Sequence, residues 1–208
     1  MDSIETADLA PGVTMPALGL LEFSSIALGI RAADAMVKKA PVRALVAGSV
    51  HPGKYLVLVD GDVASVEESL AAGVEAGAPA LLERLFLPDI HPAVGNAIAG
   101  QRAAGPIDTL GVIETRTAVS AIRAADAGMK GAHVGLLELR LADGLGGKAF
   151  LLFTGEQPDV EAAVDIGSAA VASGNLVQRI VIPRLHAELA ENLLGGTRFS
   201  AQWNGGGR

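Results

Sequence analysis

Hydrophobic residues form two different patterns along the first hundred residues. Between residues 26 and 38, apolar side chains recur at helical spacing at Ile26, Ile30, Ala33 and Val37. This spacing predicts a helix with one apolar face. Residues 55–59 instead form a continuous apolar run, Tyr-Leu-Val-Leu-Val, which is typical of a buried strand. The predicted elements are a strand at 17–23, a helix that ends before Pro41, strands at 42–50 and 54–60, a helix at 63–77, a strand at 81–87 and a short helix at 90–99.

The second half of the chain repeats the first. The segment that begins Leu18-Gly-Leu-Leu-Glu returns as Leu110-Gly-Val-Ile-Glu, at a constant offset of 92 residues. From Leu18 to Val50, 13 of the 33 aligned positions are identical. A period this long indicates a duplicated domain rather than a solenoid repeat. The second copy is predicted to contain a strand at 109–114, a helix at 118–131, a strand at 134–141, a loop at 142–147, a strand at 148–153, a helix begun by Pro158, a strand at 176–182 and a short helix through Asn192.

The duplication predicts the domain organisation. We expect a flexible leader at 1–16, a first module at 17–100, a linker at 101–108, a second module at 109–195 and a flexible Gly-rich tail at 196–208. Each module has the order β-α-β-β-α-β, which packs as a ferredoxin-like antiparallel sheet with both helices on one face. The fold class is therefore α+β. The other face of each sheet must be covered by something else, so such a module tends to associate.

The composition excludes several classes of protein. The chain has 208 residues and a net charge of −7, whereas a nucleic-acid or anionic-membrane partner would require a basic face. No apolar run approaches the length of a membrane span. Cysteine is absent, which excludes disulfides and thiolate-ligated metal centres within the chain. The first residues lack the pattern of a signal peptide, so we expect a cytoplasmic protein.

The sequence offers no convincing catalytic constellation. Glu22 and Glu114 occupy equivalent strand ends, but no histidine accompanies both, so we interpret them as structural carboxylates that make either a hydrogen bond or an ion pair with Arg31 or Arg123. The segment Asp143-Gly-Leu-Gly-Gly-Lys superficially resembles a phosphate-binding loop. It lacks the Ser or Thr after the lysine, and a strand follows it rather than a helix. We therefore predict no catalytic residue and no enzymatic activity.

Several motifs resemble those of the bacterial microcompartment shell family. Its modules open with Leu-Gly-x-Ile-Glu-Thr, continue into a helix reading Ala-Ala-Asp-Ala-Met-x-Lys, and close on Ile-Pro-Arg-Pro-His. Here these motifs correspond to Leu110–Thr115, Ala32–Lys38 with Ala124–Lys130, and Ile182–His186. Two modules in one chain resemble the tandem subclass, in unpermuted order. The resemblance implies a structural shell protein in which three chains form a pseudo-hexameric tile, together with other shell proteins.

The resemblance also implies roles for particular residues. In the family, the loop between the second and third strands lines a central pore for small metabolites, and the helix-end lysine and the arginine of the closing motif lie along the edges of the tile. The pore-lining residues are then Ser49, Val50, His51, Pro52, Gly53, Ala142, Asp143, Gly144, Leu145 and Gly146. The tile-edge residues are Lys38, Lys130, Arg184, His186 and His91. The two histidines occupy equivalent positions, and each either contacts a neighbouring tile or caps a short helix at the surface. Because Asp89 takes the place of Arg184 in the first copy, the chemistry of the edges alternates.

His51 and Asp143 are the polar side chains of these loops. Three copies of each around one axis make a small polar opening. Three imidazoles can bind a metal, but histidines in loops beside proline and glycine are mostly just exposed, so we predict no metal and no cofactor. Some tandem shell proteins hold an iron–sulfur cluster on a loop cysteine, and this cysteine-free chain is not expected to do so.

Two other hypotheses remain at the level of the sequence. Two ferredoxin-like modules could form a small-molecule-sensing regulatory protein, although such sensors usually carry an attached enzyme or DNA-binding domain. An oligomer with an interface active site is the third hypothesis, and the lack of a nucleophile or acid–base pair counts against it. Oligomer mass separates the hypotheses, because a shell tile should be a trimer that forms sheets when concentrated.

Overall fold

The computed structural model describes residues 17–198. The predicted leader at 1–16 and most of the predicted tail lie outside this range. The first half contains β1 (Ala17–Phe23), α1 (Ile26–Lys39), β2 (Ala44–Val50), β3 (Lys54–Gly61), α2 (Val63–Gly77), a 3₁₀ turn (Ala78–Ala80), β4 (Leu81–Leu87) and α3 (Pro92–Ile98). The second contains β5 (Thr109–Thr115), α4 (Ala118–Gly131), β6 (Gly135–Leu141), β7 (Ala149–Gly155), α5 (Gln157–Ala170), β8 (Leu176–Ile182) and α6 (Ala187–Gly195).

Each half forms one four-stranded antiparallel sheet. The strand order is β2-β3-β1-β4 in the first sheet and β6-β7-β5-β8 in the second. In both sheets the first strand of the module lies at the centre, between the third and the fourth, and every pairing is antiparallel. The prediction of two ferredoxin-like β-α-β-β-α-β modules is confirmed.

The described residues divide into two compact units. The first unit contains residues 17–101 together with the loop Ala142–Gly147, and the second contains Arg102–Leu141 with residues 148–198. The loop therefore belongs by its contacts to the first unit, although it connects two strands of the second sheet.

Glycine at the second position of each repeated Leu-Gly pair lets a helix pack directly on the central strand. A Cβ atom on Gly19 would lie 2.8 Å from Leu70 of α2, and one on Gly111 would lie 2.7 Å from Val164 of α5. Contacts this short do not occur, so an alanine at either position would force the helix away from the sheet. The sequence pattern is thus explained by close helix–sheet packing.

The opposite face of the second sheet is covered by the last helix. Leu110 and Leu152 form a core cluster with Ala190 of α6 and with Leu185, which precedes it. Since successive residues of a strand point to opposite faces, Leu110 lies on the face away from the one where Gly111 meets α5. In the second unit this face is therefore covered, at least in part, by the terminal helix of the same unit.

The apolar stripe predicted for α1 lies mostly on the surface. Ala33 is buried, but Ile26, Ile30 and Val37 are exposed. The buried residues of the helix are Gly29, Ala32, Ala33 and Met36. A Cβ atom on Gly29 would lie 2.5 Å from the ring of Tyr55, so the helix approaches the sheet through its small residues. The helix packs on the sheet through the face that carries its small residues, because these allow the closest approach. The three large apolar side chains therefore remain on the surface.

Candidate functional site

The first predicted pore loop is a tight connection between β2 and β3. It consists of His51, Pro52 and Gly53 between the paired strand ends Val50 and Lys54. The backbone N–H of Gly53 donates to the carbonyl of Val50 at 2.9 Å. Gly53 has a φ of 103°, a conformation that residues with a side chain rarely adopt. The backbone geometry therefore fixes this loop, and the His51 side chain projects from it, largely exposed.

The second predicted pore loop is longer and relies on glycine. It begins at the buried Ala142, whose φ is 47°, and the N–H of Leu145 donates back to the Ala142 carbonyl at 3.1 Å. Gly144 and Gly146 also have positive φ, and a Cβ atom on either would meet no neighbour within 4 Å. The glycines are thus required for the path of the backbone and not for lack of space.

The structure brings the polar side chains of the two loops together. His51 Nδ1 lies 3.3 Å from Asp143 Oδ1, and both side chains are mostly exposed. The two residues are 92 positions apart, which is the offset of the internal repeat. Equivalent positions of the two copies therefore contact each other within the first unit. Nothing in the linear sequence indicated this contact.

Lys54 connects the second loop to a buried carboxylate. Its Nζ donates to Glu22 Oε1 at 2.7 Å and to the carbonyl of Gly147 at 3.0 Å. The Glu22 side chain is 0% exposed and that of Lys54 is 19% exposed. A buried carboxylate needs such a partner, because an uncompensated charge in the interior is very costly. Lys54 thereby holds the end of loop Ala142–Gly147 beside the first sheet.

The predicted partners of the two repeated carboxylates are corrected by these contacts. Glu22 pairs with Lys54 rather than Arg31, and Arg31 donates to the Ala76 carbonyl. Glu114 pairs with Lys148 at 2.5 Å rather than with Arg123 as predicted. The repeated Gly-Lys after each loop was the available signal, since it places a lysine at the start of the strand beside each carboxylate. Both carboxylates are held in ion pairs within the described residues.

The predicted tile-edge lysines lie at the ends of α1 and α4. Lys38 Nζ pairs with Asp34 at 2.6 Å with both groups exposed, whereas Lys130 Nζ pairs with the buried Asp126 at 2.8 Å. The two lysines are equivalent in sequence, but Lys130 is held more firmly because its carboxylate is buried. Their role at tile edges stays a prediction.

The remaining predicted edge residues follow β4 and β8. His91 caps α3, with its Nδ1 accepting from the N–H of Ala93 at 3.2 Å, while His186 precedes α6 without a side-chain cap bond. Arg184 has a φ of 51°, an uncommon conformation for a residue with a side chain. The cap at His91 gives this residue a local structural role in addition to any contact at an edge.

Other ionic groups outside the loops have structural explanations. The Arg43 guanidinium donates to both carboxylate oxygens of Asp60, and this hydrogen bonding raises the pKa of Arg43. Asp62 caps α2 by accepting from the N–H of Ser65, and hydrogen bonds from the Ser65 side chain and then its backbone N–H lower the pKa of Asp62. Within residues 17–198 of one chain, no three His, Asp or Glu side chains are close enough together to hold a metal. No helix in that range is long and apolar enough to cross a membrane.

Both halves of the chain are similar to a known domain. Residues 17–90 and 109–185 each match the model of the BMC domain. The chain belongs to the bacterial microcompartment (BMC) shell protein family. This finding confirms the resemblance inferred from the repeated motifs, and it covers both copies of the duplication.

Two relatives illustrate the single and the tandem form of the domain. The chain is 38% identical over 181 residues to the bacterial microcompartment shell protein PduT of Citrobacter freundii, a match that covers 86% of this chain and 98% of that protein. It is 40% identical over 86 residues to the shell protein EutM of Salmonella typhimurium, which covers 41% of this chain and 88% of EutM. The smaller protein thus matches about one module.

Solved structures give the same result. A microcompartment protein from Desulfitobacterium hafniense is 44% identical with a TM-score of 0.73, and the match covers 84% of this chain and 98% of that one. The fused permuted shell protein MSM0275 reaches a TM-score of 0.53 at 18% identity over 74% of this chain, which shows a shared fold alone. These similarities establish a structural shell role and do not favour the regulatory hypothesis.

Proposed function

We propose that this BMC protein forms a homotrimer that acts as a pseudo-hexameric tile of a microcompartment shell, with a central pore lined by the His51 and Asp143 loops. The tile associates with other shell proteins, and its pore is a path for small metabolites. The protein works as a structural component of the shell and not as an enzyme. The observation that carries the proposal is a difference in burial between the two copies of the repeat.

One side of the module is bare in the first copy and covered in the second. Strand β2 is exposed along most of its length, and Val46 at its centre is 53% exposed, whereas most of the equivalent strand β6 is buried. Ile30 of α1 is likewise 53% exposed, whereas the equivalent Ile122 of α4 is fully buried. The first copy exposes large apolar side chains at positions that the second copy buries. This difference indicates that another chain covers these positions of the first copy in the assembled protein.

The other side shows the reverse. Ile180 on β8 of the second copy is 44% exposed, and Leu176 on the same strand is 36% exposed. The equivalent of Ile180 in the first copy is Leu85, which is fully buried. Each chain therefore presents two unlike bare surfaces, the α1–β2 surface (Ile26, Ile30, Val37, Leu45, Val46) and the β8 surface (Leu176, Ile180).

Two unlike surfaces on one chain pair head to tail, and such contacts close into a ring if the rotation permits. A chain that supplies two of six pseudo-equivalent positions closes after three copies. The α1–β2 surface of each chain then packs on the β8 surface of the next. This arrangement would bury the exposed isoleucines and valines that the single chain leaves in water.

The test is the mass of the particle in solution, compared between matched variants. Ile30→Glu places a charge in the proposed interface and should weaken trimer formation by at least about 100-fold, since an unpaired buried charge costs several kcal/mol. Val63→Glu is the control, because Val63 is similarly exposed but belongs to neither surface. Light scattering should find trimers for the parent protein and the control, and single chains for Ile30→Glu. A trimer that survives Ile30→Glu would contradict the proposed interface.

A further inference from the structure

A cleft of about 650 Å³, the β6–β7 cleft, opens where β6 begins and β7 ends. It is lined by residues 133–135 and by Thr154, Gly155, Glu156 and Asp159. All of these residues belong to the second unit, and none is part of the α1–β2 surface or the β8 surface. Each chain therefore carries the whole cleft, and an inference about it does not rest on the proposed trimer.

The first copy has an ion pair at the equivalent positions. The repeat matches Arg43 with Gly135 and, past the two extra residues of the second loop, Asp60 with Thr154. The Arg43 guanidinium donates to the two carboxylate oxygens of Asp60 at 3.1 and 2.6 Å. The second copy keeps neither member of this pair, so no guanidinium of its own stands at these positions.

The substitutions in the second copy leave space and an unmet hydrogen bond. A register shift in β6 brings Gly135 directly opposite Thr154, whereas Ala44 lies opposite Asp60 in the first sheet. Because Gly135 has no side chain, the space beside Thr154 stays open. Thr154 Oγ1 is buried and has no hydrogen-bond partner within residues 17–198. A buried hydroxyl without a partner is costly, so a ligand that donates to it is favoured.

The charges of the lining residues favour a cation. Glu156 precedes α5 without making a side-chain cap bond, and Asp159 lies in the first turn of that helix. Among the described residues that line the cleft, none is a lysine or an arginine. A helix N-terminus by itself would attract an anion, but two carboxylates beside it reverse that preference.

We propose that the β6–β7 cleft binds the guanidinium group of a ligand. In the described part of the chain, no three His, Asp or Glu side chains are close enough together to hold a metal ion. A guanidinium is flat and carries several N–H donors in one plane, so it can reach carboxylate and hydroxyl oxygens that do not converge on one point. The first copy supports this assignment, because the Arg43–Asp60 pair shows a guanidinium at the equivalent positions of the same module.

The guanidinium group can be carried by a free small molecule or by an arginine side chain of another polypeptide. Small-molecule sites have volumes of about 300–1,000 Å³, and the cleft lies within this range. It has room for more than the guanidinium alone. The volume therefore favours a small molecule as the carrier.

The experiment is an NMR titration of the ²H,¹⁵N-labelled full chain with methylguanidinium at low ionic strength, followed at the amide signals of Gly135 and Gly155. Both signals should shift and saturate. Methylammonium has the same charge but lacks the planar set of donors, and it should bind at least about 10-fold more weakly. Glu156→Gln combined with Asp159→Asn should weaken methylguanidinium binding at least about 10-fold, through loss of charged hydrogen-bond acceptors.

Two further variants use the repeat as a control. Asp62→Asn changes the first-copy equivalent of Glu156, which does not line the cleft, and should leave binding unchanged. Gly135→Arg combined with Thr154→Asp installs the ion pair of the first copy and should abolish binding. The circular dichroism spectrum shows whether this double variant is folded, and the variant at Glu156 and Asp159 tests the cleft independently.

Three results would overturn the inference: no saturable shift at either glycine, equal affinity for methylammonium, or unchanged affinity after the substitutions at Glu156 and Asp159. A comparison of methylguanidinium with N-acetyl-arginine methylamide identifies the carrier. Tighter binding of the blocked arginine supports the guanidinium site with a polypeptide as the source. Equal or weaker binding supports it with a small molecule as the source. None of these outcomes depends on whether the protein is a trimer.

Discussion

The two copies of the BMC domain share a fold but differ in what they bury. In the first copy, the Lys54–Glu22 ion pair has side chains 19% and 0% exposed, whereas the equivalent Lys148–Glu114 pair is 52% and 31% exposed. The helix residue Ile30 is exposed in the first copy, and its equivalent Ile122 is buried in the second. Duplication within one chain has therefore let equivalent positions acquire different energetic roles while the backbone order stayed the same.

The largest expected effect is the difference in stability between the same substitution at Ile122 and at Ile30. Ile122→Glu should prevent folding or lower the free energy of unfolding by more than about 4 kcal/mol, because it places an unpaired charge in a fully buried position. Ile30→Glu changes the equivalent residue of the first copy, where the chain alone exposes it, and should leave a folded single chain. Circular dichroism with thermal unfolding measures both. Equal loss of structure in the two variants would show that the copies do not differ in the proposed way.

A smaller but clear difference is expected for the two repeated lysines. Lys54→Met leaves the buried Glu22 carboxylate without its ammonium partner and should lower the free energy of unfolding by about 3 kcal/mol. Lys148→Met removes the partner of a half-exposed carboxylate and should cost less than about 1 kcal/mol. Urea unfolding in the Ile30→Glu background avoids the contribution of assembly. Similar losses in both variants would contradict the assigned burial.

The smallest expected effect concerns the helix caps at Asp62 and Glu156. Asp62 accepts from Ser65 N–H at the start of α2, whereas Glu156, its equivalent before α5, makes no side-chain cap bond. Hydrogen bonds from the Ser65 side chain and then its backbone N–H lower the pKa of Asp62 in the folded state. Its stabilising contribution is therefore present above the unfolded-state pKa and is lost as the pH falls through the folded-state pKa.

Asp62→Asn should remove part of the loss of thermal stability on acidification, whereas Glu156→Gln should leave the acid dependence as it is. Melting temperatures measured between neutral and acidic pH in the Ile30→Glu background check this pair of variants. An acid dependence that is unchanged in Asp62→Asn would show that this cap does not contribute to it.

The fold could be predicted from the sequence because its signals are local or repeated. The positions of β4, α2, α4 and β8 follow from hydrophobic period, caps and turns, and the repeat fixes the module order. The buried face of α1 could not be predicted, since the stripe of large residues competed with the small residues that pack against Tyr55. Only the tertiary structure shows which face is closer to the sheet.

The contacts of the candidate site join residues that are far apart in the sequence. Lys54 reaches Glu22 because β3 lies beside β1 with Glu22 opposite Leu56, which places the lysine two residues away diagonally. That register could have been combined with the repeated Gly-Lys to predict the ion pair. The contact between His51 and Asp143 is different, because it requires loop Ala142–Gly147 to belong to the first unit. No local pattern encodes this.

The central claim is that the bare α1–β2 surface of one chain packs on the bare β8 surface of another. The absence of cysteine from the chain makes a direct test possible by introducing two. Val46→Cys combined with Ile180→Cys, treated with a short bis-maleimide, should give covalent dimers and trimers and nothing larger, while each single variant stays uncrosslinked. Efficient crosslinking of Val46→Cys to itself, or no crosslinking of the double variant, would contradict the head-to-tail ring.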